Sequence, residues 1–347
     1  MRIFLTGASG LVGSHVLRHL LQQTEHEIIC PVSFRHKGLP ERIVSAMQGQ
    51  DVRRVRVEVM DLATPIDIHT ANRLGPIDVI MNIASDSHVD RSISRPEPFI
   101  TNNMALMINL LEYARHVQPW LFLQMSTDEV YGPAPAGHAH REWETMLPSN
   151  PYSASKAAQE SIAVSYWRTY GVNVVITNTM NIVGETQDYE KMLPKALRSM
   201  ILGEVMPIHA SPEGVPGSRF YLHARNLADA WLFLLNRYML FPPDKFGDRN
   251  VDRPEKWHIV GEREVRNDEL VNILGDMIGV KPEMEFISFH QSRPGHDLRY
   301  ALDGTKLAAA GWKAPLTLEE SIARTVRWSL DHPEWLGLTH EDVQRLR

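Results

Sequence analysis

A chain of 347 residues with a formal net charge of −6, 43% hydrophobic and 22% charged residues is long enough to bury one large core or two lobes. Its acidity gives no footing for nucleic acid or an anionic membrane surface. A single cysteine, Cys30, excludes an internal disulfide and fits a reducing cytoplasm.

The first residues read directly as a strand over 2–6, with no secretory leader, and no apolar run nears the roughly 18 residues of a membrane span. Gly7-Ala8-Ser9-Gly10-Leu11-Val12-Gly13 follows, then a helical pattern through Leu21. Glycines at a strand-to-helix turn let the backbone approach a pyrophosphate seated on the helix N-terminus. Gly7, Ser9, Gly10, Leu11, Val12 and Gly13 are therefore the expected cradle of a dinucleotide. Further strands are predicted at 27–32, at 55–60 ending on Asp61-Leu62, at 78–84, at 121–125 and at 172–178. Helices are predicted at 104–115 and across Tyr152 to Trp167. This alternation implies an α/β, Rossmann-type, doubly wound parallel sheet with ligands at the C-terminal strand ends, where Gly7, Asp61, Ala84 and Thr127 fall.

Past about residue 180 the pattern breaks into Pro-, Gly-, His- and Arg-rich stretches. The chain thus divides into a dinucleotide-binding domain over 1–180, carrying the catalytic residues, and a smaller lobe over 181–347. That lobe is expected to bind substrate, to be partly interleaved with the first, and to close with a helix over 316–330.

Two clusters carry chemistry. Tyr152 and Lys156 stand four apart on a predicted helix, so hydroxyl and ammonium share a face. A nearby cation favours phenolate and lets a tyrosine act as a base. Thr127-Asp128-Glu129 puts two carboxyl groups at a strand end, where neighbours can split into one acid and one base. A simple dehydrogenase needs no such pair.

With these residues on view, the chain resembles the extended short-chain dehydrogenase/reductase superfamily, and within it the nucleotide-sugar 4,6-dehydratases. The likeness spans nearly the whole chain. Besides the glycine turn and the Tyr152–Lys156 motif, it rests on Ser87-His-Val-Asp-Arg-Ser92, Ser126-Thr-Asp-Glu-Val-Tyr-Gly132, Arg293-Pro-Gly-His-Asp-Leu-Arg-Tyr300 and Gly311-Trp-Lys313. It implies that Tyr152, its pKa lowered by Lys156, takes the C4 hydroxyl proton while Thr127 hydrogen-bonds that hydroxyl. Glu129 would then remove the C5 proton and Asp128 protonate the departing C6 hydroxyl. It also implies a tightly held nicotinamide cofactor, contacted further by Ser33, Arg35, Asp61, Leu62 and Ala84. The expected substrate is a nucleotide sugar, dTDP-glucose favoured, held by Ser87, His88, Asn181, Glu190, Lys191, Arg219, Asn267, Arg293 and His296. A homodimer through a four-helix interface, built from helices 104–115 and 152–167, is implied as well. The same fold can serve a 4-epimerase that uses only Tyr152, or a non-catalytic dinucleotide-binding sensor.

Departures from the family pattern carry expectations too. Val32 stands where NAD-using relatives have an acidic residue for the ribose diol, and Arg35 and Lys37 follow. That suits NADP better on electrostatic grounds and leaves NAD open. Asn181-Ile-Val-Gly184 replaces the usual Asn-Asn-Tyr-Gly, so base and sugar stay open. No metal site is expected: His138 and His140 stand two apart, with no third ligand at characteristic spacing.

Overall fold

The computed structural model describes every residue except His36, 244–250, 289–296 and Arg347. Among the described residues, seven strands form one parallel sheet. They are β1 (Arg2–Leu5), β2 (Glu27–Val32), β3 (Val55–Val59), β4 (Val79–Asn82), β5 (Leu121–Thr127), β6 (Val174–Thr179) and, from far along the chain, β10 (Glu255–Ile259). The order β10-β6-β5-β4-β1-β2-β3 reverses direction between β1 and β4, which opens a crevice at the carboxyl ends.

Alternation on the strands explains the two layers that cover the sheet. Ile3 and Leu5 point into one apolar cluster with α1 (Leu11–Gln23), α2 (Pro40–Met47) and α8 (Ala224–Leu240). Phe4, between them, points into the other cluster, beneath α3 (Ile68–Leu74), α5 (Pro96–Val117) and α6 (Pro151–Tyr170). A one-turn-and-a-half helix, α4 (Val89–Ser94), precedes α5. The predicted helix at 104–115 is extended in both directions: Pro96 starts it in the first turn, where no amide donor is needed, and Gln118 in the left-handed region ends it.

Residues beyond 180 build a third cluster around α7 (Met192–Leu202), α9 (Asn267–Ile278) and α11 (Leu318–Asp331), the last numbered after a short α10 (Thr305–Ala309). Two small sheets complete that lobe. One pairs β7 (Asn181–Val183), β9 (Ser218–His223) and β11 (Glu264–Arg266), and the other β8 (Met206–Ala210) and β12 (Met284–Ser288). The helix predicted over 316–330 is α11, fixed by a capping box in which the Thr317 hydroxyl accepts from the Glu320 amide and the Glu320 carboxylate accepts from the Thr317 amide. Among the described residues, no helix is long and apolar enough to cross a membrane.

Candidate active site

The carboxyl ends of β1, β4, β5 and β6 open into a cleft of about 890 Å³ that runs from the glycine turn to β8 and α9. At one end the turn is built for a close ligand. Gly7 adopts φ +73°, and a Cβ on Gly13 would lie 2.0 Å from the Gly7 carbonyl oxygen. Gly10 caps α1 with no side-chain hydrogen bond, and the first turn carries no acidic residue. The helix's positive end therefore faces the cleft without an internal anion, and a dinucleotide pyrophosphate fits it. Gly13→Ala is expected to force the turn open and weaken dinucleotide binding about tenfold or more, read by calorimetric titration.

The far wall of this groove is strapped. Lys37 reaches Asp188 at 2.6 Å and Glu190 at 3.4 Å. Arg42, 3% exposed, donates to the Thr186 carbonyl at 2.8 Å and to the Lys37 carbonyl at 2.6 Å. The loop after β2 is thereby tied to the segment after β7. At the outer end Arg35 pairs with Asp61 at 2.7 Å, while Ser33 and Leu62 line the wall beside them.

Along the same carboxyl edge of the sheet, from β1 past β4 to β5, the cleft continues to the catalytic strip. β5 runs two residues beyond its predicted end to Thr127, and Asp128–Tyr131 then forms a single 3₁₀ turn. This turn swings Asp128 and Glu129 back toward α6. The Thr127 hydroxyl donates to Asp128 Oδ1 at 2.9 Å, and Asp128 Oδ2 is buried with no hydrogen-bond partner among the described residues. Burial, then the Glu129 charge, push the Asp128 carboxyl up to about 7. Burial raises Glu129 as well, opposed by a hydrogen bond from Asn150 and by the charges of Arg219 and Lys191.

Asn150 serves both sides of the site. Its Oδ1 accepts from the Ser153 amide at 2.9 Å in a capping box that starts α6, and its Nδ2 donates to Glu129 Oε2 at 3.1 Å. One side chain thus sets the helix bearing Tyr152 and Lys156 against the carboxylate opposite. Nothing in its spacing announced this.

Lys156 is 3% exposed and donates to the Met125 carbonyl at 2.8 Å and Gln159 Oε1 at 2.7 Å. Burial pulls its ammonium down to about 8, against the charge of Glu160. The sequence led to the expectation that Lys156 lowers the Tyr152 pKa; here the phenol is raised by other groups. Burial, then the Glu129 and Asp128 charges, raise the phenol well above its ordinary range, with only the Thr127 hydrogen bond opposing. The ammonium is engaged elsewhere, so burial and two carboxyls win.

Behind the strip lies a buried ion pair that the sequence did not reveal. Lys256 of β10 meets Glu160 of α6 at 2.6 Å, with side chains 1% and 2% exposed. Glu160 also accepts from the Ser126 hydroxyl and, at 2.7 Å, from Asn178 Nδ2, which itself donates to the Thr127 carbonyl at 2.9 Å. β5, β6, β10 and α6 are locked together directly beneath Thr127.

The remaining expected residues divide. Ala84, Ser87, His88, Asn181, Lys191, Arg219 and Asn267 line the same cleft. Arg219 is held by the Asp297 and Leu298 carbonyls, each at 2.7 Å, and by the Tyr300 ring at 4.7 Å. Glu190 also lines the cleft but is spoken for by Arg91 at 2.8 Å, His88 at 3.3 Å and Lys37. It braces cations instead of standing free for a ligand. Arg293 and His296 lie outside the described residues. Beside His138 and His140, for which the sequence offered no third ligand at characteristic spacing, stands the Glu144 carboxylate.

A family model described as the NAD dependent epimerase/dehydratase family matches residues 3–246. A dTDP-glucose 4,6-dehydratase of Escherichia coli is 30% identical over 365 residues, covering 96% of this chain and 95% of that protein. A dTDP-glucose 4,6-dehydratase from Streptomyces venezuelae, solved with NAD and TYD bound, superposes with a TM-score of 0.83 at 30% identity, over 96% of this chain and 98% of its own. A Thermus thermophilus UDP-glucose 4-epimerase complexed with NAD shares the fold at 24% identity, with a TM-score of 0.79 over 94% of this chain and 98% of its own.

Proposed function

We propose that this chain, which belongs to the NAD dependent epimerase/dehydratase family, is a nucleotide-sugar 4,6-dehydratase that converts an NDP-hexose, dTDP-glucose favoured, to the 4-keto-6-deoxy sugar. The observation that carries the reading is the buried Asp128 beside a half-buried Glu129, both acting on Tyr152, with one Asp128 oxygen unpartnered among the described residues and its carboxyl pushed up to about 7. An epimerase needs the tyrosine; only a dehydration needs both carboxyls as well.

Tyr152 takes the proton from the sugar C4 hydroxyl, which Thr127 orients. For that the phenol needs a positive neighbour, and the Lys156 ammonium one helical turn away supplies that charge. The resulting 4-keto group acidifies the C5 hydrogen, which Glu129 removes as base. Asp128, kept protonated by burial, gives its proton to the C6 hydroxyl as it leaves as water. A bound nicotinamide would supply the oxidation at sugar C4 and the reduction at C6, and Glu129 would return its proton to C5. Gly7 to Gly13 hold its pyrophosphate, Asp61 and Leu62 its adenine, Ser33 and Arg35 its ribose, and Ala84, Tyr152 and Lys156 the reactive end. Lys191 and Arg219, cationic at the substrate end, suit the sugar diphosphate, and Ser87, His88, Asn181 and Asn267 line its path.

The electrostatic case for NADP is weaker in the fold than in the sequence. Arg35 and Lys37 are already paired with Asp61 and Asp188. A 2′-phosphate gains them only by displacing those carboxylates, and parallel titration with NAD and NADP decides the preference. The cytoplasm suits an enzyme whose one cysteine is buried. A homodimer is supported by the outward residues Ile100, Ile108 and Tyr170 on α5 and α6.

The deciding experiment is mass spectrometry of the purified protein's product with dTDP-, UDP-, GDP- and CDP-hexoses. Loss of one water from one of them, dTDP-glucose first, is the expected result. Conversion without a mass change points to a 4-epimerase, and no conversion of any donor leaves only dinucleotide binding.

A further inference from the structure

The segment between Tyr131 and Asn150 joins the catalytic strip to the catalytic helix, and it is fastened to the C-terminal lobe along its length. The His140 amide donates to the Ala301 carbonyl at 2.9 Å, and the Asp303 amide donates to the His140 carbonyl at 2.8 Å. Arg299 donates to the carbonyls of Pro135 at 2.7 Å and His138 at 2.6 Å. This rigid frame points three side chains at one spot.

His138 Nε2 lies 3.0 Å and His140 Nδ1 2.8 Å from Glu144 Oε2, and the ligating atoms of all three lie within 4.8 Å of one another. The other carboxylate oxygen is held by the Arg141 amide at 3.1 Å, which leaves Oε2 facing the imidazoles. The His140 ring is fixed by stacking on Tyr131, centroids 5.2 Å apart and planes 16° from parallel. None of these groups takes part in the proposed reaction.

We propose that His138, His140 and Glu144 bind a divalent transition cation of the zinc type. Two imidazoles and a carboxylate are a zinc donor set, and two nitrogen donors among three disfavour magnesium and calcium. Bonds of about 2.0–2.1 Å in a tetrahedral site place ligand atoms about 3.3–3.4 Å apart. The two imidazole–carboxylate spacings reach that by opening a few tenths of an ångström, and the two imidazole nitrogens, within 4.8 Å of one another, by a turn of the more exposed His138 ring. His138 and Glu144 are 43% and 32% exposed, so a water completes the shell.

The cations nearby are already countered. Arg299 is paired with Glu264 at 2.8 Å, and Arg141 stands 3.5 Å from Asp303. Affinity is limited at His140. Coordination at its Nδ1 leaves the ring proton on Nε2, which is buried with no partner among the described residues. The expected dissociation constant is micromolar. The bound ion would crosslink the segment that carries the chain from Glu129 to Tyr152.

The test uses the full-length, tag-free protein, titrated with zinc sulfate by calorimetry. One ion per chain is expected, with affinity reduced at least tenfold in His138→Ala and in Glu144→Gln and unchanged in His340→Ala, far from the cluster. Circular dichroism checks that each variant is folded. Cobalt(II) gives a second readout that does not depend on the variants' stability: intense visible d–d bands with the native chain mark a site of low coordination number. Failure of the native chain to bind zinc in the micromolar range overturns the proposal. So does equal binding by the folded His138→Ala and Glu144→Gln chains; in either case the cluster is a hydrogen-bonded loop clasp.

Discussion

Tyr152→Phe is expected to lower kcat by about 10²–10⁴-fold while leaving the dinucleotide bound and KM little changed. The ring stays and only the hydroxyl goes. The α6 start is held by Asn150 and Ser153, not by the phenol, so the helix and its Lys156 keep their places. The loss should appear in the first hydride transfer, as absence of the transient absorbance of reduced nicotinamide when substrate is mixed with the enzyme. A variant that still forms that transient at the native rate would move the base to another group.

Asp128→Asn and Glu129→Gln should separate oxidation from dehydration. Each is expected to cut product formation by about 10²–10⁴-fold while C4 oxidation continues, so that reduced nicotinamide accumulates where the native chain shows only a transient. The pH dependence carries a definite sign. Asp128, raised by burial and by Glu129 to about 7, works as an acid only while protonated. The dehydration rate should therefore fall as pH rises through about 7. The carboxamide of the Asp128→Asn variant has no proton to lose there, so that alkaline limb should vanish from its residual rate. An unaltered limb would assign the acid to another residue.

Much of this architecture was legible in the sequence, because strand–helix alternation and motif position are local properties. Gly7 to Gly13, Thr127 to Glu129 and Tyr152 to Lys156 each announce themselves within a few residues. What stayed hidden depends on partners distant in sequence. β10 reads poorly as a core strand because Lys256 and His258 sit where apolar residues are expected. Both are buried, Lys256 against Glu160 and His258 against the Tyr131 hydroxyl at 2.9 Å. Removing one member of the Lys256–Glu160 pair would strand the other charge in the core, at a cost of about 3–5 kcal/mol. Glu144 escaped notice because it lies four residues past His140, and the turn that folds it back onto both imidazoles has no sequence signature of its own. The Arg35–Asp61 pairing, which changes the argument about the cofactor, likewise joins the ends of two different strands.

The strap from Lys37 and Arg42 to Thr186 and Asp188 joins positions up to 151 residues apart, so it exists only once both ends of the chain's first half and the start of its second have come together. In the proposed cycle the nicotinamide ends each turnover as it began and has no reason to depart. A wall braced from two distant segments holds the dinucleotide groove in shape before the cofactor arrives, so little ordering is left to oppose binding.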